Sequence, residues 1–347
     1  MSAPSILHVS DNDKFLPPLI QLIEQEFGIE NHLFLLKSGM ADGLLALDQQ
    51  NVKVMPKSFA YYWQVAKAMQ QADKIMLHSI GDSMLVRLLF MMPWVLPKCH
   101  WVFWGSDLYI YESPNKDWKW KINEFFRRRV IKKIGFLVNE IPGEQVLVRD
   151  WYGAQGHHYP CFAYLSNVFH PTPFTPEAHD WTAIIVGNSA DPSNHHLEMF
   201  ELLKPYADQN IRVYVPLTYG AGQDYIQQVI VAGETLFGEN FYPLQSHMAF
   251  DDYLKLLTNI DIAVFGHRRQ QAMGNIRTLL GFGKKVFMRQ ELTSAESLAL
   301  YGIKTFDLSE FSIEENFAEK AKNQQLMQTH FSVERLKRDW EMIFTAE

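Results

Sequence analysis

Short apolar runs of strand length alternate with segments of helical period along most of this chain. Residues 6–9, 33–36, 75–78, 100–103 and 136–138 are such runs, and 158–159 is a further edge candidate. Between them, 16–27, 58–71 and the strongly apolar 84–92 carry apolar residues three and four apart. This alternation predicts a parallel sheet with helices on its faces and right-handed crossovers. The pattern then breaks: 167–176 holds three prolines in ten residues and no period, which predicts a linker over 167–178. After it, 181–186, 211–215, 241–244, 260–265 and 285–288 read as strands. Helices are expected over 223–232, 250–258 and 275–282, the last stopped by Gly283. The tail, 313–343, reads as helical. The expected division is an α/β domain over 1–166, a second over 179–320, and a C-terminal helix over 321–347 that crosses back to the first.

Composition narrows the class. A length of 347 residues suffices for two domains, and 47% apolar with 20% charged residues describes packed cores, not disorder. Nine Trp, 14 Tyr and 24 Phe fit large cores or, alternatively, a sugar or lipid surface. The two cysteines, Cys99 and Cys161, have no CxxC or Cys/His spacing, which argues for a reducing compartment and against structural zinc. The first ten residues lack a basic stretch followed by a signal-type apolar run. The greasiest segment, 85–96, is interrupted by Arg87 and too short to span a bilayer. A cytosolic protein is the expectation.

Charge is unevenly spread. The segment 116–133 carries eight basic residues against Asp117 and Glu124, a balance of +6, so the overall −7 leaves −13 for the remainder. Trp118, Trp120, Phe125 and Phe126 interleave with Arg127, Arg128 and Arg129. A solvated charged helix is the plain reading. Nucleic-acid binding fits the charge but not the acidic remainder or the lack of any RNA-binding motif. Docking on an anionic bilayer fits best, with rings entering the interface and cations meeting headgroups.

Two loops of the second half suit phosphate. The apolar run 183–186 ends in Gly187, Asn188 and Ser189, and a helix-like segment opens after Ser193 and Asn194. A strand feeding a small polar loop and a helix start binds phosphate through backbone amides, where Gly187 allows close approach. An ordinary turn capped by Asp191 or Ser193 is the alternative. The second loop holds Arg269, Gln270 and Gln271, and Gly274 and Asn275 would open the next helix. Arg269 offers a guanidinium fork for a diphosphate. Glu291 can accept hydrogen bonds from ribose hydroxyls and Tyr219 can stack on a base, with ordinary loop positions the equal alternative for both. In the first half, Asp107 follows a strand within 104–109 and is the first candidate for taking a proton from an attacking hydroxyl, with Asp13 second; an Asx-turn or helix-capping aspartate is the alternative for Asp107. His8 and His78 sit at other strand ends and could line the same crevice, His78 as a further catalytic candidate, although a satisfied structural histidine is the commoner case. The DxD-like 11–13 is discounted as a metal site, and no metal or cofactor is expected.

Together these motifs resemble the bacterial 4-acetamido-4,6-dideoxygalactose (Fuc4NAc) transferases of enterobacterial common antigen synthesis, glycosyltransferase family 56. The matching pieces run in order over about residues 6–295: His8-Val9 with Asp13, His78, Trp104-Gly105 with Asp107-Leu108-Tyr109, Tyr159-Pro160, 186–189 with Asp191, Ser193, Asn194 and His196, Val215-Pro216 with Tyr219, 269–271 with Gly274, and Glu291. Arg268, Ala272, Asn275 and Ser106 depart from that pattern. The resemblance implies a GT-B fold of two Rossmann-like domains facing across a cleft. It also implies transfer of Fuc4NAc from a dTDP-sugar to a polyprenyl-diphosphate-linked oligosaccharide, without metal, at the cytoplasmic face of the inner membrane. A related deoxyamino sugar, or a UDP-sugar donor, fits the same loops. A sugar-nucleotide epimerase and a non-enzymatic sugar-nucleotide-binding module are the readings of other classes; the first leaves 116–133 without a purpose and the second has no need of Asp107.

Overall fold

The computed structural model describes residues 5–38, 51–220 and 222–346. The chain forms two units. One runs to Ser166 and takes the chain back from Val333; the other is Asn167–Ser332.

The first unit contains β1 (Ile6–Asp11), α1 (Leu16–Glu26), β2 (His32–Lys37), β3 (Val52–Met55), α2 (Phe59–Gln71), β4 (Lys74–His78) and α3 (Ser83–Met91). It continues with β5 (Cys99–Val102), the one-turn α4 (Gly105–Leu108), α5 (Trp118–Ile131), β6 (Phe136–Val138), α6 (Pro142–Tyr152) and β7 (His157–Tyr159). The sheet order is β3-β2-β1-β4-β5-β6-β7, and every pairing is parallel. Strand alternation sorts the two faces. Leu7, Val9, Ile75, Leu77, Cys99 and Trp101 join one buried cluster with residues of α2, α3, α5 and α6. The intervening positions put His8, His78 and His100 on the opposite face.

The second unit repeats the plan. It holds β8 (Thr182–Val186), α7 (His196–Leu203), β9 (Ile211–Pro216), α8 (Gln223–Phe237), β10 (Phe241–Leu244) and α9 (Phe250–Thr258). Then follow β11 (Ile262–Phe265), α10 (Met273–Gly281), β12 (Lys285–Met288), α11 (Thr293–Leu300) and α12 (Lys320–His330). Its parallel order, β10-β9-β8-β11-β12, is the same 3-2-1-4-5 winding as the first unit. In both, strand order reverses beside the first strand, at β1/β4 and at β8/β11. Open α/β sheets bind ligands in the crevice beyond the strand ends at this reversal.

The tail departs from its expectation. In place of one helix there are two: α12 packs on α10 in the second unit, and α13 (Val333–Thr345) belongs to the first. The break falls at Phe331–Ser332, where the Phe331 carbonyl accepts from the Phe169 amide. The proline-rich 167–176 is held as well as irregular. Phe169 lies where a Cβ on Gly281 would meet its ring, and the Arg277 guanidinium donates to the Asn167 carbonyl. Within the first unit, α13 is fixed by the Trp340 indole donating to the Ala163 carbonyl and by the Lys74 ammonium on the carbonyls of Ile343 and Phe344.

Candidate active site

In the second unit, the loops after β8 and β11 meet at the strand-order reversal. The Ser193 hydroxyl donates to Gln271 Oε1 at 2.8 Å, Gln271 Nε2 reaches Asn188 Oδ1 at 3.4 Å, and Asn188 Nδ2 reaches the Tyr219 hydroxyl at 3.4 Å. Four of the expected donor-site residues therefore form one polar chain. Arg269, half-buried, follows β11 on the same loop. Beyond it α10 opens at Ala272, held in left-handed backbone (φ 60°) with no side-chain cap. A helix start lacking a side-chain cap leaves first-turn amides for an anion. Gly274 and Asn275 lie in that turn, and the Asn275 amide group donates to the Tyr253 hydroxyl at 2.9 Å. Glu291 is exposed on the turn after β12, the strand paired with β11.

The first of the two loops works differently from its expectation. Its backbone amides are already used: Gly187 donates to Val264, Asn188 to Asn194 Oδ1, and Ala190 to Tyr219. Asn194, fully buried, is the brace; it also donates to the Ser189 hydroxyl and the Asp191 carbonyl, and it pairs with the buried His267 at 2.9 Å. Ser189 and Asn194 are thus internal supports, not phosphate donors. Asp191 caps a 3-10 turn at Pro192–Asn194, so α7 starts only at His196. Gly187 has φ 70°, and a Cβ there would sit 2.6 Å from Asn194 Oδ1. Only glycine fits both the conformation and the space. Arg268 turns to Glu198 at 3.3 Å, which Arg289 grips at 2.5 Å.

In the first unit the reversal lies beside Asp13. Its Oδ1 accepts from the Phe15 amide at 2.8 Å. Burial, with Asp11 adding repulsion, lifts the carboxyl to about 6 against the Phe15 and Leu16 amides and Lys14. A carboxylate tuned near neutrality is suited to accept a proton at physiological pH. At the same end of the sheet, a cavity of about 350 Å³ is lined by Ser10, Asp11, Lys37, Lys57, Ser79 and Asp82, among others; Asp13, two residues beyond Asp11, is not part of its lining. Lys37 bridges Asp11 at 2.7 Å and Asp82 at 2.6 Å, and Tyr62 donates to Asp82 at 2.6 Å. The buried Ser10 hydroxyl has no protein partner. Sequence reasoning missed this cluster because its members come from four separate strand ends, β1 to β4; only the strand order brings them together.

Asp107 is not where a base could act. It is 2% exposed. One carboxylate oxygen accepts from the Ile80 amide and the Trp101 indole, the other from the Trp104 amide. Burial raises its pKa, opposed by those hydrogen bonds and by Arg127. With both oxygens occupied by fixed N–H donors, it holds the loops after β4 and β5 together and offers nothing to a substrate. His78 is likewise internal. His32, His8 and His78 are joined at 2.9 Å and 3.0 Å, and His78 Nδ1 meets the Tyr164 hydroxyl at 2.7 Å. The Trp104 indole, a donor only, reaches the same hydroxyl at 2.9 Å. If the buried tyrosine proton is to be used, it must go to His78 Nδ1, so each imidazole donates from Nε2 towards His32. Burial keeps all three neutral, with His78 lowered to about 3 and His32 to about 4.

The basic-aromatic segment is α5, and it has two sides. Arg127 is buried, donating to the carbonyls of Ile80 and Asp107, so it is not a surface cation. Phe126 packs on the core and the Trp120 indole donates to the Ile110 carbonyl, which removes both from a membrane face. Trp118, Phe125, Arg128 and Arg129 remain exposed. Among the described residues no helix is long and apolar enough to cross a membrane.

The whole chain is similar in fold to solved glycosyltransferases of the GT-B class. It superposes on sucrose-phosphate synthase from Thermosynechococcus elongatus with TM-score 0.66 at 10% identity, covering 98% of each chain. It matches a UDP-forming α,α-trehalose-phosphate synthase from Burkholderia xenovorans with TM-score 0.64 at 12% identity, covering 100% of each. An E. coli trehalose-6-phosphate structure bound with UDP-2-fluoro glucose gives TM-score 0.64 at 12% identity and 99% of each chain. The family described as 4-alpha-L-fucosyltransferase, glycosyl transferase group 56, matches residues 21–341. The chain belongs to that family and is a glycosyltransferase of GT-B fold.

Proposed function

We propose that this glycosyltransferase moves a 4,6-dideoxy-4-acetamidohexose, Fuc4NAc, from a dTDP-linked donor to a polyprenyl-diphosphate-linked oligosaccharide at the cytoplasmic face of the inner membrane. The second unit takes the donor: Arg269 and the first turn of α10 hold the diphosphate, with Asn188, Ser193, Gln270 and Gln271 around it. Tyr219 flanks the base and Glu291 the ribose. In the first unit the acceptor sugar enters the cavity at the β1/β4 reversal, where Lys37, Asp11, Asp82 and Ser10 offer both donors and acceptors to hydroxyls, and reaches Asp13 on the loop that follows Asp11. Asp13 removes the acceptor proton as that oxygen bonds to the anomeric carbon, and the bond from that carbon to the phosphate oxygen breaks. The leaving dTDP keeps the electron pair, and its developing charge is met by the guanidinium and the α10 amides.

The observation that carries this reading is the convergence at the β8/β11 reversal: a polar chain, an arginine and a helix start without a side-chain cap. The dTDP and Fuc4NAc assignments rest on the family resemblance. The test is product analysis with dTDP-Fuc4NAc and a lipid-linked acceptor. Asp13→Asn is expected to lower turnover about 10²- to 10⁴-fold, the range for a lost general base, and the wild-type product is expected to have inverted anomeric configuration. Near-normal turnover by Asp13→Asn, or retained configuration, removes Asp13 as the base.

A further inference from the structure

The helical layer over one face of the first sheet carries an unusual outer surface. α2 packs beside α3, and α3 beside α5, with Phe90 of α3 in ring contact with Phe125 and Phe126. All three helices bury their inner sides in the same core cluster. Outwards they expose Phe59 (86%) and Trp63 (59%) on α2, Met91 (64%) on α3, Trp94 (63%) on the 3-10 turn Pro93–Lys98, and Trp118 (67%) and Phe125 (46%) on α5. Scattered exposed hydrophobic residues are ordinary; a run across three adjacent helices marks an interaction surface.

Cations stand beside these rings. Lys67 lies over Trp63 at 5.9 Å, Lys119 over Trp118 at 5.7 Å, and Arg129 over Phe125 at 3.5 Å. Lys116, Lys121, Lys132 and Lys133 extend the charge and are all exposed. The acidic residues of α5 and its cap offset little of it: Glu124 is buried against Arg127 and Arg128, and Asp117, an exposed carboxylate that caps the helix at Trp120, subtracts a single charge. Large rings at the surface with ammonium and guanidinium groups among them match the apolar boundary and anionic headgroups of a lipid bilayer. The rest of the chain carries a net negative charge, so the cationic stretch that can attract an anionic membrane is this one.

The geometry points to a membrane-docking face made by three helices together, α2, α3 with its following turn, and α5, and occupied by an anionic bilayer surface. It rests on the membrane reading above but extends it to residues of α2 and the 93–98 turn.

The test is sedimentation of the full chain with phosphatidylcholine vesicles, with and without phosphatidylglycerol. Two double variants are compared, Trp118→Ala/Phe125→Ala and Trp63→Ala/Trp94→Ala; all four side chains are exposed, so an unchanged Tm verifies folding. Each is expected to weaken binding to phosphatidylglycerol vesicles about tenfold or more. Replacing Lys119 by Ala is expected to cost about fivefold. If only the α5 pair weakens binding, the three-helix face is wrong and a membrane helix remains. If neither does, the membrane reading itself falls. If Trp63→Ala/Trp94→Ala instead dissolves a dimer seen by light scattering, the occupant is a second copy and the proposal is overturned.

Discussion

Asp13 illustrates how far one carboxyl can be set by its surroundings. Its neighbour Asp11 is bridged by Lys37, whereas for Asp13 burial and the Asp11 charge outweigh the Phe15 and Leu16 amides and Lys14. If it is the base, kcat/KM falls about tenfold per pH unit below about 6, because the protonated acid cannot accept. The same shift bears on stability. A folded pKa of about 6 against an ordinary 3.8 means the folded chain holds this proton more tightly than the unfolded one. That contribution is complete below about 3.8 and is lost as pH rises through about 6. Asp13→Asn keeps the acceptor for the Phe15 amide and removes the ionisation. It is therefore expected to stabilise the fold at pH 8 by about 2 kcal/mol after allowing for partial exposure, and not at pH 4. Equal Tm values at both pH values contradict the tuning. Gly187 is the opposite case, a residue defined by having no side chain. Gly187→Ala places a methyl against Asn194 in left-handed backbone, and denaturant melts are expected to show a loss of about 1–3 kcal/mol.

At the scale of elements, the histidine row across β2, β1 and β4 is a consequence of register. Ile6 pairs with His32, and His8 with Met76, so His32, His8 and His78 form a diagonal on one face of the sheet. Phe344 of α13 lies edge-on to His32 and His8, and Trp340 lies beside His78. These imidazoles fold neutral, with pKa values depressed by burial, whereas unfolded histidine titrates near 6.5. Their contribution is present above 6.5 and is lost as pH falls towards 4 and then 3. Thermal melts are expected to drop steeply from pH 6.5 to 4, and Tyr164→Phe, which strands His78 Nδ1 and the Trp104 indole, to cost a further 1–3 kcal/mol or about that. A flat profile over that interval contradicts the neutral row.

Strands were legible in the sequence because parallel strands buried on both faces are near-continuous apolar runs. β3, whose residues 53 and 54 are exposed at the sheet edge, gave no such run. Polarity along α5 showed its charge but not its rotation, so Arg127 looked like its neighbours Arg128 and Arg129. For the same reason Asp107 read as an open carboxylate: a strand-end aspartate looks identical in sequence whether it faces a crevice or receives three N–H groups. Asn188, Ser193 and Gln271 were legible because they follow strands at the reversal, where topology turns loops towards one another.

For the molecule as a whole, the same winding occurs twice, and each copy assembles polar side chains at its own strand-order reversal. The two sites differ in chemistry. At β8/β11 the cation is an arginine beside a helix start without a side-chain cap, suited to a diphosphate; at β1/β4 lysines and aspartates pair off around a cavity, suited to hydroxyls. That division of labour is the centre of the account. Its most direct test is titration calorimetry of dTDP into the wild-type chain and into Arg269→Ala. One dTDP per chain is expected, with affinity falling at least tenfold in the variant while Lys37→Ala binds as wild type. Undiminished binding by Arg269→Ala, or a loss in Lys37→Ala instead, contradicts it.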